Sequence, residues 1–591
     1  MKNLILKKEI FFFIFIAILF LVIRIPGLDN LYHQDEYKWP MIVNPALTEP
    51  GGIPHPPVGE FIYRELGIMV GYDNFRLIPL IFSFINLFLL FYLVKTIFDT
   101  KTALWSAGLF IVSFYSVLAS LMVDTDGAVM PAFFLIACIG YYKLRKINFQ
   151  FRISNFQNWI SIVLLFVGII GGFFVKASFI IAIGALALDF AFEKGVFEDR
   201  KKLFKYILYC IGLGIVLVLV LLLAKVVFPF FPIEKSITYW KHFANSSSFL
   251  DRGWLQTFIQ FVKAVLYTSP LLILPLFFID REIWQKTRPF FLFIFLGLFF
   301  YLIAFDFSIG ALDRYFQFLV VPLCIIAGAV FAKYFTSPLF LQNLSTFWIF
   351  LQNISKSLAN APSIRIFAPL LDKERGDPRK RGWGEAFLVL TSISIFLFQF
   401  FNHFVPPLYP KTEWISRVIS LKWNFLFPFT GGSGPTGFYI SFLFIALIWL
   451  ISLAFVKKRF LLGILVLGLL YNAVFIEEYL FGKINGSPYE LFKNAKEFIV
   501  KDKDIKKVVV YNDIGGYEIQ KTGKYNRRMY ATPQFEDTYK KFFENFSGHI
   551  LYIDIPKIGD NNFYSNYLNS CKQIYKEKDK YITAKIFKCN E

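Results

Sequence analysis

The stretch HQDEYKWP, His33 to Pro40, sets two carboxylates side by side just after the apolar run FFFIFIAILFLVI (Phe11–Ile23). Adjacent side chains diverge, so one of Asp35 and Glu36 can face a reactant while the other binds a cation or orients its neighbour. A second acidic cluster, VDTDG (Val123–Gly127), carries Asp124 and Asp126 in a short connection between apolar segments. Acids at a membrane edge can simply mark the water boundary or pair with a nearby Lys or Arg. Two such clusters at one face of a helical bundle point instead to a functional site. IPHPPVGEF (Ile53–Phe61) adds His55, which can donate or accept a proton near neutral pH. Its Pro56, Pro57 and Gly59 stiffen and turn the backbone, so the same element also reads as a turn entering an interfacial helix. The cations that could face these acids are Lys176 in FFVKASF, Arg314 (with Asp313 and Tyr315) in GALDRYFQF, and Arg252 in FLDRGW. A Lys or Arg at such a position can snorkel to water, but a phosphate would give it a partner.

The elements that must position these groups are apolar spans. Of 591 residues, 56% are hydrophobic and 20% aromatic, whereas only 18% are charged. This composition suits a polytopic α-helical membrane protein and no soluble single-core protein. Stretches of spanning length are expected near 9–25, 77–95, 102–122, 128–143, 158–175, 178–191, 206–228, 259–279, 290–306, 314–333, 386–403, 437–456 and 460–480, about thirteen helices in all. The first is expected to stay as an uncleaved helix, since no small-residue cleavage site follows it. Connections rich in Lys and Arg, such as YKLRK (Tyr142–Lys146), EDRKKLFK (Glu198–Lys205) and VKKR (Val456–Arg459), alternate with poorer ones. The positive-inside rule then puts the basic connections in the cytoplasm and the acidic motifs outside.

Residues 1–480 are thus read as a transmembrane catalytic region, with 26–76 a first outer loop and 334–385 a basic cytoplasmic loop. Residues 481–591 read as a small extracytoplasmic α/β domain. There Ser487 caps a helix in SPYELFKNAKEFIV, KKVVVYND and GHILYIDIP are strands, and KTGKY is a turn. Cys571 and Cys589 share this segment and could pair in an oxidising compartment.

The net charge of +20 does not indicate nucleic acid, because the basic residues sit in short runs between apolar segments. Walker and G-x-S-x-G motifs are absent, which argues against a nucleotide-driven pump. His33 with Asp35 and Glu36 lacks metal-ligand spacing on a defined element; no metal site is assigned, and the acids are compatible with a divalent cation. Outward carboxylates, outward cations and an aromatic-rich bundle suit a reaction on a lipid-linked phosphate. A carboxylate takes a proton from an acceptor hydroxyl, and cations stabilise the departing phosphate. The alternative is a lipid-linked sugar flippase or transporter whose outer charges form a gate.

In order along the chain, DE, HPPVG, VDTDG, a Lys after the fifth span and an R-Y opening a late span resemble the GT-C glycosyltransferases. The nearest likeness is to the protein O-mannosyltransferase and lipid A aminoarabinose transferase superfamily. The resemblance implies a polyprenyl-phosphate-sugar donor, a lipid, glycan or protein acceptor, and an inverting single displacement at the cell membrane's outer face. It matches Asp35 to the catalytic base with Glu36 beside it, and Asp126, less closely Asp124, to the second-loop acid. Lys176, Arg314 and Tyr315 match positions that contact the donor phosphate. Glu60 follows HPPVG where protein mannosyltransferases carry a basic residue, and nothing suggests their β-trefoil domain.

Overall fold

The computed structural model describes residues 2–32, 36, 38–44, 55–147, 156–231, 268–304, 313–335, 426–428, 439–458, 460–484, 486–511, 515–529, 536–554, 562–580 and 582–590, with short pieces between 233 and 265. The expected span at 386–403 and the basic loop at 336–385 lie outside the described residues, as do Asp35 and Arg252.

Helix α1 (Lys2–Arg24) leads to a short α2 (Lys38–Val43) and α3 (Pro57–Val70), then to α4 (Leu77–Ile97), α5 (Thr100–Val112) and α6 (Phe114–Leu121). A wide turn, Thr125–Val129, runs into α7 (Met130–Lys146), followed by α8 (Phe156–Val175), α9 (Ile180–Glu193) and α10 (Arg200–Val227). Next come α11 (Arg281–Ala304), a 3-10 turn Asp313–Leu319 with α12 (Val320–Tyr334), α13 (Phe442–Lys458) and α14 (Leu461–Phe481). Among the described residues seven helices are long and apolar enough to cross a membrane, eight when a bent pair counts as one span. This is the make-up of a helical membrane protein. The segment Phe316–Tyr334 is central, with 94% of its apolar window buried, whereas Arg200–Val227 is peripheral at 12%. Small residues let the inner helices approach. Gly140 lies against the backbone of Ser161 and Leu165, and Gly168 against that of Ala137, so α7 and α8 meet without intervening side chains.

The expected single span at 102–122 is two helices bent by 67° at Ser113. The break frees backbone groups inside the bundle, and distant side chains satisfy them. Asn472 accepts the Phe114 N–H at 2.7 Å, while its own amide donates to Ser269 Oγ at 2.8 Å and Gly468 O at 2.7 Å. Arg24, fully buried, donates to Ile111 O at 3.4 Å, Ser116 Oγ at 3.0 Å and Ser120 Oγ at 2.7 Å. Its guanidinium also stacks 3.8 Å from the Phe20 ring centroid. The expected span at 178–191 is the 14-residue α9, and the described end of 259–279 is a helical turn, Pro270–Ile273, capped by Ser269.

The C-terminal residues form a five-stranded sheet. In chain order its strands are β1 (Val508–Tyr511), β2 (Tyr525–Met529), β3 (Gly548–Asp554), β4 (Lys572–Asp579) and β5 (Ile582–Cys589), arranged β2-β1-β3-β5-β4. β1 runs parallel to β2 and β3, and β5 pairs antiparallel with β3 and β4. Helix α15 (Pro488–Lys501) begins as its sequence indicates, with Ser487 Oγ accepting the Glu490 N–H at 3.3 Å. A Cys571–Cys589 disulfide ties the start of β4 to the end of β5.

Candidate active site

The motifs singled out in the sequence converge on the turn Thr125–Val129. Its wide form, with the Met130 N–H bonded five residues back to Thr125 O, interrupts regular helix at the mouth of the bundle. Glu36 reaches it first: its Oε1 accepts the Val123 N–H at 2.7 Å. Tyr63 of α3 donates its hydroxyl to Asp124 O at 2.8 Å. Gly59 of HPPVG packs between two other motifs, since a Cβ there would lie 2.9 Å from Thr125 Cγ2 and 3.2 Å from Val175 O. From the far side, Gln317 of DRYFQF lies against Gly127, and its amide meets Met122 Sδ at 3.6 Å.

Glu36 is bound, not open. Its carboxylate forms a buried ion pair with Arg76, at 2.8 and 3.1 Å, with the side chains 3% and 2% exposed. Arg76 also donates to Asn30 O at 3.0 Å, Leu31 O at 2.7 Å and Leu121 O. One guanidinium thereby fastens the exit of α1, the acidic segment and the end of α6. Arg76 directly precedes the span Leu77–Ile97.

Lys176 forms a salt bridge with Asp126 Oδ2. It sits in the break between α8 and α9, where its N–H closes α8 onto Gly172 O at 3.0 Å. Burial by itself would lower the ammonium's pKa; the Asp126 carboxylate reverses this and raises it, so the group stays charged. Asp126 Oδ1 is buried with no hydrogen-bond partner among the described residues. The contrast with Asp189 at the other end of the bundle is informative. Asp189, fully buried, takes both Arg288 and Arg145 and the Tyr141 hydroxyl, so it locks α7, α9 and α11 together. In Asp126 only Oδ2 is paired among the described residues. Beside Ser178 lies a small apolar pocket, lined by Met130, Phe134, Phe179, Phe293, Tyr301 and Phe318.

The other expected residues are placed as follows. Asp124 Oδ1 accepts the Thr125 N–H at 2.7 Å, an N-terminal cap for the wide turn. His55 is half-buried just before Pro56 and α3. Glu60 is buried and pairs with Arg64 within α3. Arg314 and Tyr315 lie in the turn Asp313–Leu319, whose following residues reach the site. Among the described residues no three His, Cys, Asp or Glu side chains come together as a metal site. Arg76, Arg24 and Tyr63 were not among the expected site residues.

No family model matches the chain, and no curated protein matches it. Among solved structures, ArnT from Cupriavidus metallidurans bound to undecaprenyl phosphate is 14% identical over 97% of this chain and 97% of its own, with a TM-score of 0.48. The same protein in the apo state is 13% identical over 98% of each chain, with a TM-score of 0.47. The Archaeoglobus fulgidus oligosaccharyltransferase with Zn and sulfate is 11% identical over 91% of this chain and 67% of its own, with a TM-score of 0.32. ArnT is an aminoarabinose transferase, and both proteins are GT-C glycosyltransferases, the class that the motifs resemble.

Proposed function

We propose that the chain is a membrane glycosyltransferase that moves a sugar from a polyprenyl-phosphate donor to an acceptor hydroxyl at the outer membrane face. The observation that carries this reading is Lys176. It is an ammonium paired with Asp126, two residues before Ser178 and Phe179, which line a small apolar pocket. A polyprenyl phosphate asks for that combination: a cation for the phosphate, with apolar side chains close by for the lipid.

In the proposed reaction Asp35 takes the proton of the acceptor hydroxyl. The oxygen attacks the anomeric carbon, the bond from that carbon to the phosphate oxygen breaks, and polyprenyl phosphate leaves with the electron pair. Lys176, with Arg314 and Tyr315 from the late turn, stabilises the charge that develops there. Asp126 holds Lys176, and its second oxygen is available to a sugar hydroxyl. Glu36 is assigned to orienting the acidic segment through Arg76. A single displacement inverts the anomeric centre. Residues 1–480 form the membrane catalytic region and 481–591 an extracytoplasmic domain; the Cys571–Cys589 disulfide supports an oxidising location for the latter. No divalent cation is assigned a step.

The test is to incubate purified protein with a set of polyprenyl-phosphate sugars. Release of polyprenyl phosphate is the expected result. Movement of intact donor across a vesicle membrane without cleavage would favour a flippase and overturn the proposal.

A further inference from the structure

The Glu36–Arg76 pair is backed by residues from the far end of the chain. The Tyr32 ring lies 5.0 Å from the Arg76 guanidinium, and its hydroxyl donates to Asp73 O at 3.1 Å. Tyr517, only 2% exposed, meets Tyr32 edge to face, with centroids 5.4 Å apart and planes at 70°. Tyr517 belongs to the short helix Gly516–Gln520, which follows β1 of the C-terminal sheet. Its hydroxyl donates to Tyr72 O at 3.4 Å. One turn on, Lys521 bonds Asp73 Oδ1 at 2.6 Å while also pairing with Glu518 at 2.9 Å. The helix therefore presses on the corner Tyr72–Arg76, the point from which Arg76 reaches the acidic segment.

We propose that Tyr517, steadied by Lys521, is a positioning residue through which the C-terminal sheet region sets the aim of the acidic segment. The inference rests on the glycosyltransferase reading above. The contacts run in series: Tyr517 packs on the Tyr32 ring, Tyr32 covers one face of Arg76, and Arg76 holds Glu36, the sequence neighbour of Asp35. A guanidinium in a four-way hydrogen-bond fork tolerates little tilt. Removing the Tyr517 ring opens a void beside Tyr32, and a small rotation there is passed to the Glu36 carboxylate. Displacing a base by about 1 Å costs as much as ~100-fold in rate.

The experiment compares full-length wild type, Tyr517→Ala and Tyr517→Phe, measuring polyprenyl-phosphate release from a polyprenyl-phosphate sugar across pH. Tyr517→Ala should lower kcat by about tenfold or more, with the donor KM unchanged. Its acid limb should also move to higher pH, because a Glu36 less tightly paired with Arg76 carries an uncompensated negative charge one residue along the chain from Asp35. A fall in the folded fraction would reduce rate without moving that limb. Tyr517→Phe keeps the ring and should restore both rate and profile. If Tyr517→Ala yields no monodisperse protein, Asp73→Ala at the exposed corner should lower kcat a few-fold and shift the limb the same way. Active wild type with a kcat and pH profile unchanged in Tyr517→Ala, or in Asp73→Ala when that variant is used, overturns this inference alone. Wild type that releases no polyprenyl phosphate from any donor overturns the glycosyltransferase reading and this inference with it.

Discussion

The buried pair Glu36–Arg76 makes a prediction whose size follows from its surroundings. Both side chains are at most 3% exposed, so neither charge can turn to water when the other is lost. Removing one partner of such a pair costs about 3–5 kcal/mol, because an uncompensated charge stays behind. Glu36→Gln should sit near the lower figure, since its amide oxygen can still accept the Val123 N–H and one Arg76 N–H. Glu36→Ala should reach the upper one, because it loses every contact and leaves a cavity. Arg76→Met strands the carboxylate and leaves the carbonyls of Asn30, Leu31 and Leu121 without this donor. The double variant Glu36→Leu/Arg76→Met removes both charges together, yet it still leaves those carbonyls and the Val123 N–H to be satisfied at about 1–3 kcal/mol each if they remain buried. The double variant leaves the same carbonyls as Arg76→Met but strands no carboxylate, so the expected order of stability is wild type, then the double variant, then Arg76→Met, with Glu36→Ala also below wild type. Thermal unfolding of the purified protein in detergent, followed by near-ultraviolet circular dichroism, gives that order directly. A Glu36→Ala midpoint matching wild type, or a double variant less stable than Arg76→Met, would refute the reasoning.

Two further outcomes follow from particular contacts. Lys176→Gln keeps a polar side chain beside Asp126 but removes the cation, so the donor KM should rise about tenfold to a hundredfold, the worth of one charge-assisted phosphate contact; an unchanged KM would remove Lys176 from the donor site. Replacing Cys571 and Cys589 by Ser opens a loop of 18 residues, which should cost the C-terminal sheet about 3 kcal/mol. With the bond present, neither cysteine should react with a membrane-impermeant maleimide until a reductant is added. Labelling of Cys571 without reductant would count against an oxidised, outward-facing segment.

Much of the membrane region was legible because a spanning helix is written locally, in about twenty apolar residues between charged ends. Leu77–Ile97, Thr125–Lys146 and Leu461–Phe481 all lie where their apolar runs indicate. HPPVG, VDTDG and the Lys176 segment were each read onto one face from the charge alternation, and Gly59 packs against Thr125 and the backbone of Val175. The break at Ser113 was not legible. Its stabilising groups, Arg24 and Asn472, come from 87 residues before Ile111 and 358 residues after Phe114, and no local pattern announces them. Glu36 read as a candidate for chemistry because its partner Arg76 is 40 residues away. The hairpin β4–β5 was also missed. KQIYKEKD (Lys572–Asp579) is charged enough to read as a solvated loop, and Lys-rich composition is how an exposed edge strand avoids pairing with other chains.

The most direct test of the central claim pairs wild type with Asp35→Asn in one assay. Each protein, purified and checked to be monodisperse with the same melting midpoint, is incubated with a polyprenyl-phosphate sugar and an acceptor pool, and released polyprenyl phosphate is measured. The account predicts release by wild type and none above background by Asp35→Asn, because the amide cannot take the acceptor's proton. Equal release by the two proteins would contradict Asp35 as the base, and no release by either, with intact donor carried across vesicles, would contradict the transferase itself.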